Sequence, residues 1–222
     1  MKSRPRLLAA LSLALLKPLS ADLHWESLPD LPPGAGQDEQ IGVAGAFAGV
    51  HNDALIVAGG ANFPQGLPWE KTADGAAPPK IYHDDIFVLR EDDGGWQWSL
   101  SQTKHPGPWA YGASISHPTA GIICIGGEHK SDPVDGRQPM RLSREVFALQ
   151  WKDGKVAVDK GYPPLPRGVT GCVGARIGEV VYVVGGADAE GATNIFWALD
   201  LETRDTDKYY WTEMPPFPGG PR

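Results

Sequence analysis

The segment GAFAGVHNDALIVAGG, residues 45–60, opens on a glycine and closes on a Gly-Gly pair that begins 14 residues later. Two short apolar runs lie between these glycines, on either side of His51-Asn52-Asp53. Apolar runs of this length around a tight polar turn predict a β-hairpin with buried strands. The glycines predict sharp turns and a close approach of the backbone to other strands.

The same pattern occurs twice more, at residues 112–127 and 171–186, again with the first glycine 14 residues before the pair. Each copy continues with a third apolar strand, at residues 86–89, 146–149 and 196–199. A fourth strand follows and is expected to end in an aromatic residue such as Trp98 or Trp211. A repeat of fixed spacing predicts one supersecondary unit that is stacked several times.

Four antiparallel strands per unit, with a Gly-Gly pair after the second and a tryptophan on the fourth, resemble the kelch repeat of β-propellers. The resemblance implies an all-β chain with about three four-stranded blades, of six expected in the complete propeller. Trp25, followed by Pro29 and Pro32, is interpreted as the fourth strand of a further blade. Because three blades do not close a ring, we expect residues 22–222 to be the N-terminal half of a longer propeller. Completion by another chain is the alternative.

Residues 1–21 differ from the rest of the chain. Lys2, Arg4 and Arg6 precede an apolar run from Leu7 to Leu16, a pattern typical of a secretory signal peptide. A periplasmic or secreted protein is therefore predicted, with no membrane contact after cleavage. Residues 1–21 carry four cationic side chains and no carboxylate, so the mature chain has a formal charge of about −11. A balance this acidic argues against nucleic acid as a partner.

Two of the segments between second and third strands are long, at residues 61–83 and 128–143. They are expected to lie on the same face of the propeller as the loops that join successive blades. Loops on a rigid scaffold carry function more often than the scaffold itself does, so this face is the predicted site.

Several segments resemble N-acetylneuraminate epimerase, the bacterial sialic acid mutarotase. These segments are residues 42–49, 110–112, 125–128, 152–156 and 217–222. Their order differs from that of the epimerase, because residues 25–160 resemble its C-terminal part and the remainder its N-terminal part. The chain is in this respect similar to the cyclically permuted mutarotase branch. A ring of equivalent blades tolerates such a rearrangement.

The resemblance implies an isomerase that opens a sugar ring and recloses it on the other face, and no cofactor is expected. No metal site is expected either, because His83, His105 and His129 lack metal-ligand spacing. Such a reaction needs one group to remove the proton of the anomeric hydroxyl and another to protonate the ring oxygen. Glu128, which follows Gly126-Gly127 where the other copies have Ala61 and Ala187, is the predicted acid/base. Two alternative interpretations of Glu128 remain. It is a solvated loop carboxylate, or it holds the equivalent position in a blade next to the one that carries the family's catalytic glutamate, which the permuted order would place beyond Arg222.

An arginine is the natural partner for the carboxylate of an acidic sugar, because its planar fork matches two oxygens. Trp109 and Tyr111 are candidates for contact with a sugar, with core packing between blades as the alternative. The buried cysteines Cys124 and Cys172 are expected to be free thiols. The candidate arginines are Arg222, Arg137, Arg141 and Arg144.

Two classes of function follow from these patterns. The first is a mutarotase that acts on N-acetylneuraminate or a similar small-molecule sugar, with the reservation that these 222 residues alone are expected to be inactive. The second is a non-catalytic kelch module that binds a protein or a glycan.

Overall fold

The computed structural model describes residues 23, 25–73, 75–131 and 139–221. Within these residues the chain forms eighteen β-strands and one short 3-10 helix, Leu201–Thr203. No helix in the described ranges is long and apolar enough to cross a bilayer. The predicted signal peptide, Arg137 and Arg222 lie outside the described residues.

The strands follow the three repeats. The first repeat holds β1 (Phe47–His51), β2 (Ala54–Ala58), β3 (Ala61–Asn62), β4 (Ile81–Tyr82), β5 (Ile86–Asp92) and β6 (Gly95–Leu100). The second holds β7 (Ala113–His117), β8 (Gly121–Ile125), β9 (Glu128–Lys130), β10 (Met140–Leu142), β11 (Val146–Lys152) and β12 (Lys155–Asp159). The third holds β13 (Val173–Ile177), β14 (Val180–Val184), β15 (Ala187–Asp188), β16 (Gly191–Ala192), β17 (Phe196–Asp200) and β18 (Thr212–Glu213).

Each repeat folds into one four-stranded antiparallel sheet. The strand orders are β1-β2-β5-β6, β7-β8-β11-β12 and β13-β14-β17-β18, and we call these sheets blades 1, 2 and 3. The predicted all-β, kelch-type architecture with three four-stranded blades is confirmed. A six-blade ring stays a prediction.

A small two-stranded ribbon follows the second strand of every blade. β3 pairs with β4, β9 with β10, and β15 with β16. The sequence pattern predicts loops for the first two of these segments, and this prediction is wrong at their bases, where the short strands pair. Strands of two or three residues are too short to show an alternating apolar pattern, so the sequence gives no sign of them.

Blade 2 is packed on both faces. Every residue of β8 is buried, and alternate side chains point to opposite sides of the sheet. Cys124 and Phe147 belong to an apolar cluster shared with blade 1. Ile123 and Ile125 belong to a second cluster, shared with blade 3. Two stacked interfaces of this kind form the core of the described chain.

Blade 3 leaves its outer apolar face open. The first and fifth residues of β1 and β7 face the following blade and are only 1% to 6% exposed. Val173 and Ile177 hold the same positions in β13, yet they are 66% and 74% exposed. The positions that pack against a following blade in the first two repeats therefore have no cover from the described residues in the third.

Neighbouring blades are also joined by backbone hydrogen bonds at the Gly-Gly pairs. We call each pair, together with the residue after it, a corner: residues 59–61, 126–128 and 185–187. Gly60 donates its N–H to the carbonyl of Trp109 at 2.9 Å, and Gly127 donates to Val169 at 2.8 Å. In both cases the acceptor belongs to the segment that leads into the next blade.

Two predicted fourth strands differ from the structure. No strand is formed around Trp25, because a fourth strand pairs with the third strand of its own blade and the described residues include none before Trp25. Trp98 lies within β6 and donates its indole N–H to the carbonyl of Pro29 at 2.8 Å. In blade 3 the strand begins after Trp211 and does not end on it.

We predict that Gly127→Ala destabilises the fold much more than Gly154→Ala. Both glycines have positive φ, 103° and 73°, so either substitution strains the backbone by roughly 1–2 kcal/mol. A Cβ at position 127 would in addition lie 2.7 Å from the carbonyl oxygen of Ala110, whereas a Cβ at position 154 meets nothing within 4 Å. Urea denaturation followed by tryptophan fluorescence measures the two free energies of unfolding. An equal loss of stability in both variants would contradict the close packing at the corner.

Candidate active site

Glu128 is held in place by the corner of blade 2. It directly follows Gly126-Gly127, starts β9, and exchanges two backbone hydrogen bonds with Ala110, at 2.8 and 3.0 Å. The same bridge joins Ala44 to Ala61 in blade 1 and Thr170 to Ala187 in blade 3. The repeat thus fixes the backbone at this position in all three blades, and only blade 2 places a carboxylate there.

The Glu128 side chain is buried and accepts hydrogen bonds from three residues. Lys80 Nζ donates to Oε1 at 3.1 Å, Tyr82 Oη donates to Oε1 at 2.7 Å, and Thr170 Oγ1 donates to Oε2 at 3.1 Å. The residue is only 7% exposed. The alternative interpretation of Glu128 as a solvated loop carboxylate is therefore wrong.

The three donors come from the two blades that flank blade 2. Lys80 and Tyr82 lie in or beside the β3–β4 ribbon of blade 1, and Thr170 precedes β13 of blade 3. A buried carboxylate is costly unless it is paired and hydrogen-bonded, and these three donors supply the partners that the Glu128 oxygens need. Burial and the hydrogen bond to Glu128 raise the pKa of Tyr82, which keeps its hydroxyl a donor.

A cavity of about 520 Å³ lies beside this carboxylate. Lys80, Tyr111, Glu128 and Thr170 line it, together with small residues of blade 3. Lys80 Nζ lies 4.8 Å from the centre of the Tyr111 ring and 5.6 Å from that of the Tyr82 ring, within range of a cation–π contact. Charged, hydroxyl and aromatic groups therefore meet in a space large enough for a monosaccharide.

Tyr111 occupies a backbone position that the other repeats give to glycine. Its φ is 61°, against 63° for both Gly45 and Gly171. The three residues are linked in series, because Tyr111 donates its N–H to the Gly45 carbonyl and Gly171 donates to the Tyr111 carbonyl, each at 2.7 Å. The equivalent of Gly45 and Gly171 in blade 2 is therefore Tyr111 and not Gly112.

The equal sequence spacing at Gly112 has a local cause. The turn between β7 and β8 has one residue more than the turns of the other two hairpins. The residue 14 positions before Gly126 is therefore Gly112, one position after the structural equivalent, Tyr111. Gly112 is needed for another reason, since a Cβ there would lie 2.4 Å from the Phe47 ring.

A bulky residue at positive φ is uncommon, and such strain clusters at functional sites. Tyr111 is thus both strained and exposed to the cavity.

The described arginines do not reach Glu128. Arg144 donates its Nε to the carbonyl of Leu165 at 2.7 Å, a structural contact between segments. Arg141 lies on β10 and lines a second cavity of about 730 Å³, together with Arg167. This second cavity adjoins the first, because Thr170 and Ala187 line both. Contact of either predicted arginine with a sugar stays a prediction.

Trp109 is partly buried and packs against the cluster shared by blades 1 and 2, which agrees with the alternative of packing between blades. Its ring lies 5.9 Å from that of Phe147 and 5.6 Å from that of His105. Burial lowers the pKa of His105 to about 4, so this imidazole is neutral near pH 7. No group of three or more potential metal ligands occurs among the described residues. Cys124 and Cys172 are both buried and free.

The family model described as N-acetylneuraminate epimerase matches residues 12–158 of this sequence. This match covers more than half of the chain. The chain belongs to the N-acetylneuraminate epimerase family.

Three relatives carry the name N-acetylneuraminate epimerase. Those of Brucella melitensis, Vibrio cholerae and Yersinia pestis are 38%, 34% and 32% identical over 145, 140 and 142 residues. The matched part covers 64%, 62% and 62% of this chain, but only 33%, 33% and 32% of the relatives. The chain therefore matches about one third of the length of each epimerase. The solved structure of YjhT aligns with a TM-score of 0.49 and 18% identity, over 80% of this chain and 47% of that chain.

Three members of the cluster around Glu128 are not predicted from the sequence: Lys80, Tyr82 and Thr170. Thr170 holds the bridge position that Ala44 and Ala110 hold in the other blades, but in the sequence Gly112 is preceded by Tyr111, so this equivalence was hidden. Lys80 and Tyr82 lie at the end of a segment read as an irregular loop. Their approach to Glu128 depends on the β3–β4 pairing, which has no sequence signature.

We predict that Tyr111→Gly is more stable than Tyr111→Ala, although both remove the ring. A left-handed conformation costs an L side chain roughly 1–2 kcal/mol, and glycine avoids this cost. The matched control compares Ser114→Gly with Ser114→Ala on β7. In a strand the expected order is reversed, and the glycine variant should be less stable than the alanine variant by about 0.5–1 kcal/mol. Free energies of unfolding in urea decide the matter. A more stable Tyr111→Ala would contradict the strain at this position.

Proposed function

We propose that this chain supplies part of the active site of a mutarotase acting on N-acetylneuraminate or a similar sugar. One observation carries the proposal: the buried Glu128 carboxylate lies at the wall of a 520 Å³ cavity with its position fixed from three blades. Membership of the epimerase family and the names of the relatives support the reaction class. The activity belongs to the whole propeller, of which this chain matches about a third.

The proposed reaction is an acid/base ring opening. The Glu128 carboxylate takes the proton of the anomeric hydroxyl, and the bond between the anomeric carbon and the ring oxygen breaks. The ring oxygen takes a proton from water to give the open-chain ketone, and the hydroxide formed takes the proton from the Glu128 carboxyl. Reclosure reverses these steps with the hydroxyl attacking the other face of the carbonyl. No net redox change or group transfer occurs, so no cofactor enters the proposal.

Three further parts of the proposal concern the complete protein. The open face of blade 3, with Val173 and Ile177 exposed, is the surface on which a fourth blade packs. Residues 161–222 lie beyond the family match and are proposed to correspond to the beginning of the epimerase, as in a cyclic permutation. Export to the periplasm or the medium rests on the signal-like residues 1–21.

We predict that Glu128→Gln lowers the rate of anomer exchange by about a hundredfold or more, because the amide cannot take the proton. Exchange of N-acetylneuraminate is measured by NMR at pH 7 with this chain, and with the complete propeller where the chain alone is slow. Glu145→Gln is the control, since Glu145 is an exposed carboxylate of the same blade. If the unsubstituted complete propeller exchanges the anomers no faster than buffer does, the mutarotase proposal is removed. Full activity of Glu128→Gln removes Glu128 from it.

A non-catalytic kelch module that binds a glycan or a protein is the second candidate. One observation favours it, because both Glu128 oxygens already accept hydrogen bonds from the protein. In that case Glu128→Gln leaves ligand binding intact and no exchange is accelerated. Calorimetric binding measured alongside the NMR rate separates the two candidates.

A further inference from the structure

Lys80 is the cation of the cavity that holds Glu128. Its side chain is 28% exposed and its ammonium donates to Glu128 Oε1 at 3.1 Å. An ammonium group has three N–H donors, and this bond uses one of them. The rings of Tyr82 and Tyr111 lie against the same ammonium. Aromatic faces hold a cation in place without neutralising it, so Lys80 keeps capacity for a second anion.

The chemistry of the substrate sets a distance requirement. In a 2-keto acid sugar such as N-acetylneuraminate, the carboxylate and the anomeric hydroxyl are attached to the same carbon atom. A group that binds the carboxylate must therefore lie next to the group that takes the hydroxyl proton. Lys80 meets this requirement, since its Nζ is in direct contact with a Glu128 oxygen.

Arg141 and Arg144, the predicted binding arginines that lie in the described residues, do not meet this distance requirement. Arg144 is bonded to the Leu165 carbonyl, and Arg141 lines the neighbouring cavity. Neither lines the cavity beside Glu128.

We infer that Lys80 binds the carboxylate of the sugar and makes this cavity selective for acidic over neutral sugars. The inference rests on the proposed function for the identity of the sugar. Lys80 would bridge two carboxylates, that of Glu128 and that of the substrate. Glu128 would still take the proton of the anomeric hydroxyl. Lys80 is thus a binding residue that determines specificity, and it has no part in the proton transfer.

The test compares N-acetylneuraminate with its methyl ester, which has the same ring and hydroxyls but no charge. Calorimetry at pH 7 should give an affinity about tenfold or more higher for the acid, as expected for a charge-assisted hydrogen bond. Lys80→Met should lower the affinity for the acid to that for the ester and leave the ester within about twofold. Lys80→Arg keeps the charge and should retain preference for the acid. Lys130→Met is the matched control, because Lys130 lies on β9 with Glu128 but does not line the cavity.

Each other outcome overturns a defined part of the inference. Equal affinities for acid and ester in the unsubstituted protein, or no binding of either, overturn carboxylate recognition. An equal loss for both sugars in Lys80→Met means that Lys80 only positions Glu128, which overturns its role in specificity. Anomer exchange is followed by NMR in the same samples. Selective binding without accelerated exchange contradicts the proposed catalysis and leaves the assignment of Lys80 standing.

Discussion

Backbone hydrogen bonds at the glycine corners connect one blade to the next, and the candidate site depends on them. Gly60 bonds to the segment leading into blade 2, and Gly127 to the segment leading into blade 3. Because hydrogen bonds of this kind require close backbone approach, side chains are excluded at these positions. Where a blade has a described neighbour on each side, the residue after the pair is thereby placed at the meeting point of three blades. In blade 2 that residue is Glu128, which explains why its donors come from blades 1 and 3.

The site carries two features that do not serve stability. A buried ion pair is weak evidence for stability, because the desolvation of both charges offsets much of their attraction. Tyr111 adds a strained backbone at a position where the other repeats have glycine. Natural proteins depart from the rules of stability mainly at functional sites. The coincidence of both departures around one cavity supports a role in ligand binding.

Much of the fold was predictable from the sequence, and the composition of the site was predictable only in part. The hairpins follow from short apolar runs around polar turns, and the corners from Gly-Gly pairs such as Gly59-Gly60. Glu128 was found because it replaces an alanine in a repeat. Lys80 and Tyr82 were not found, since they are brought to Glu128 by a ribbon too short to predict. Gly112 misled the alignment of the repeats, because one extra turn residue restored the same spacing at a different structural position.

Amide hydrogen exchange at the corner glycines tests the central claim most directly. The account predicts that the N–H groups of Gly60 and Gly127 exchange as slowly as those in the middle of β8, because each is bonded to the neighbouring blade. The N–H of Gly178, in an exposed turn, supplies the fast reference. Exchange of Gly60 and Gly127 as fast as that of Gly178 would show that the blades are not joined at these corners, and the assembled site around Glu128 would lose its basis.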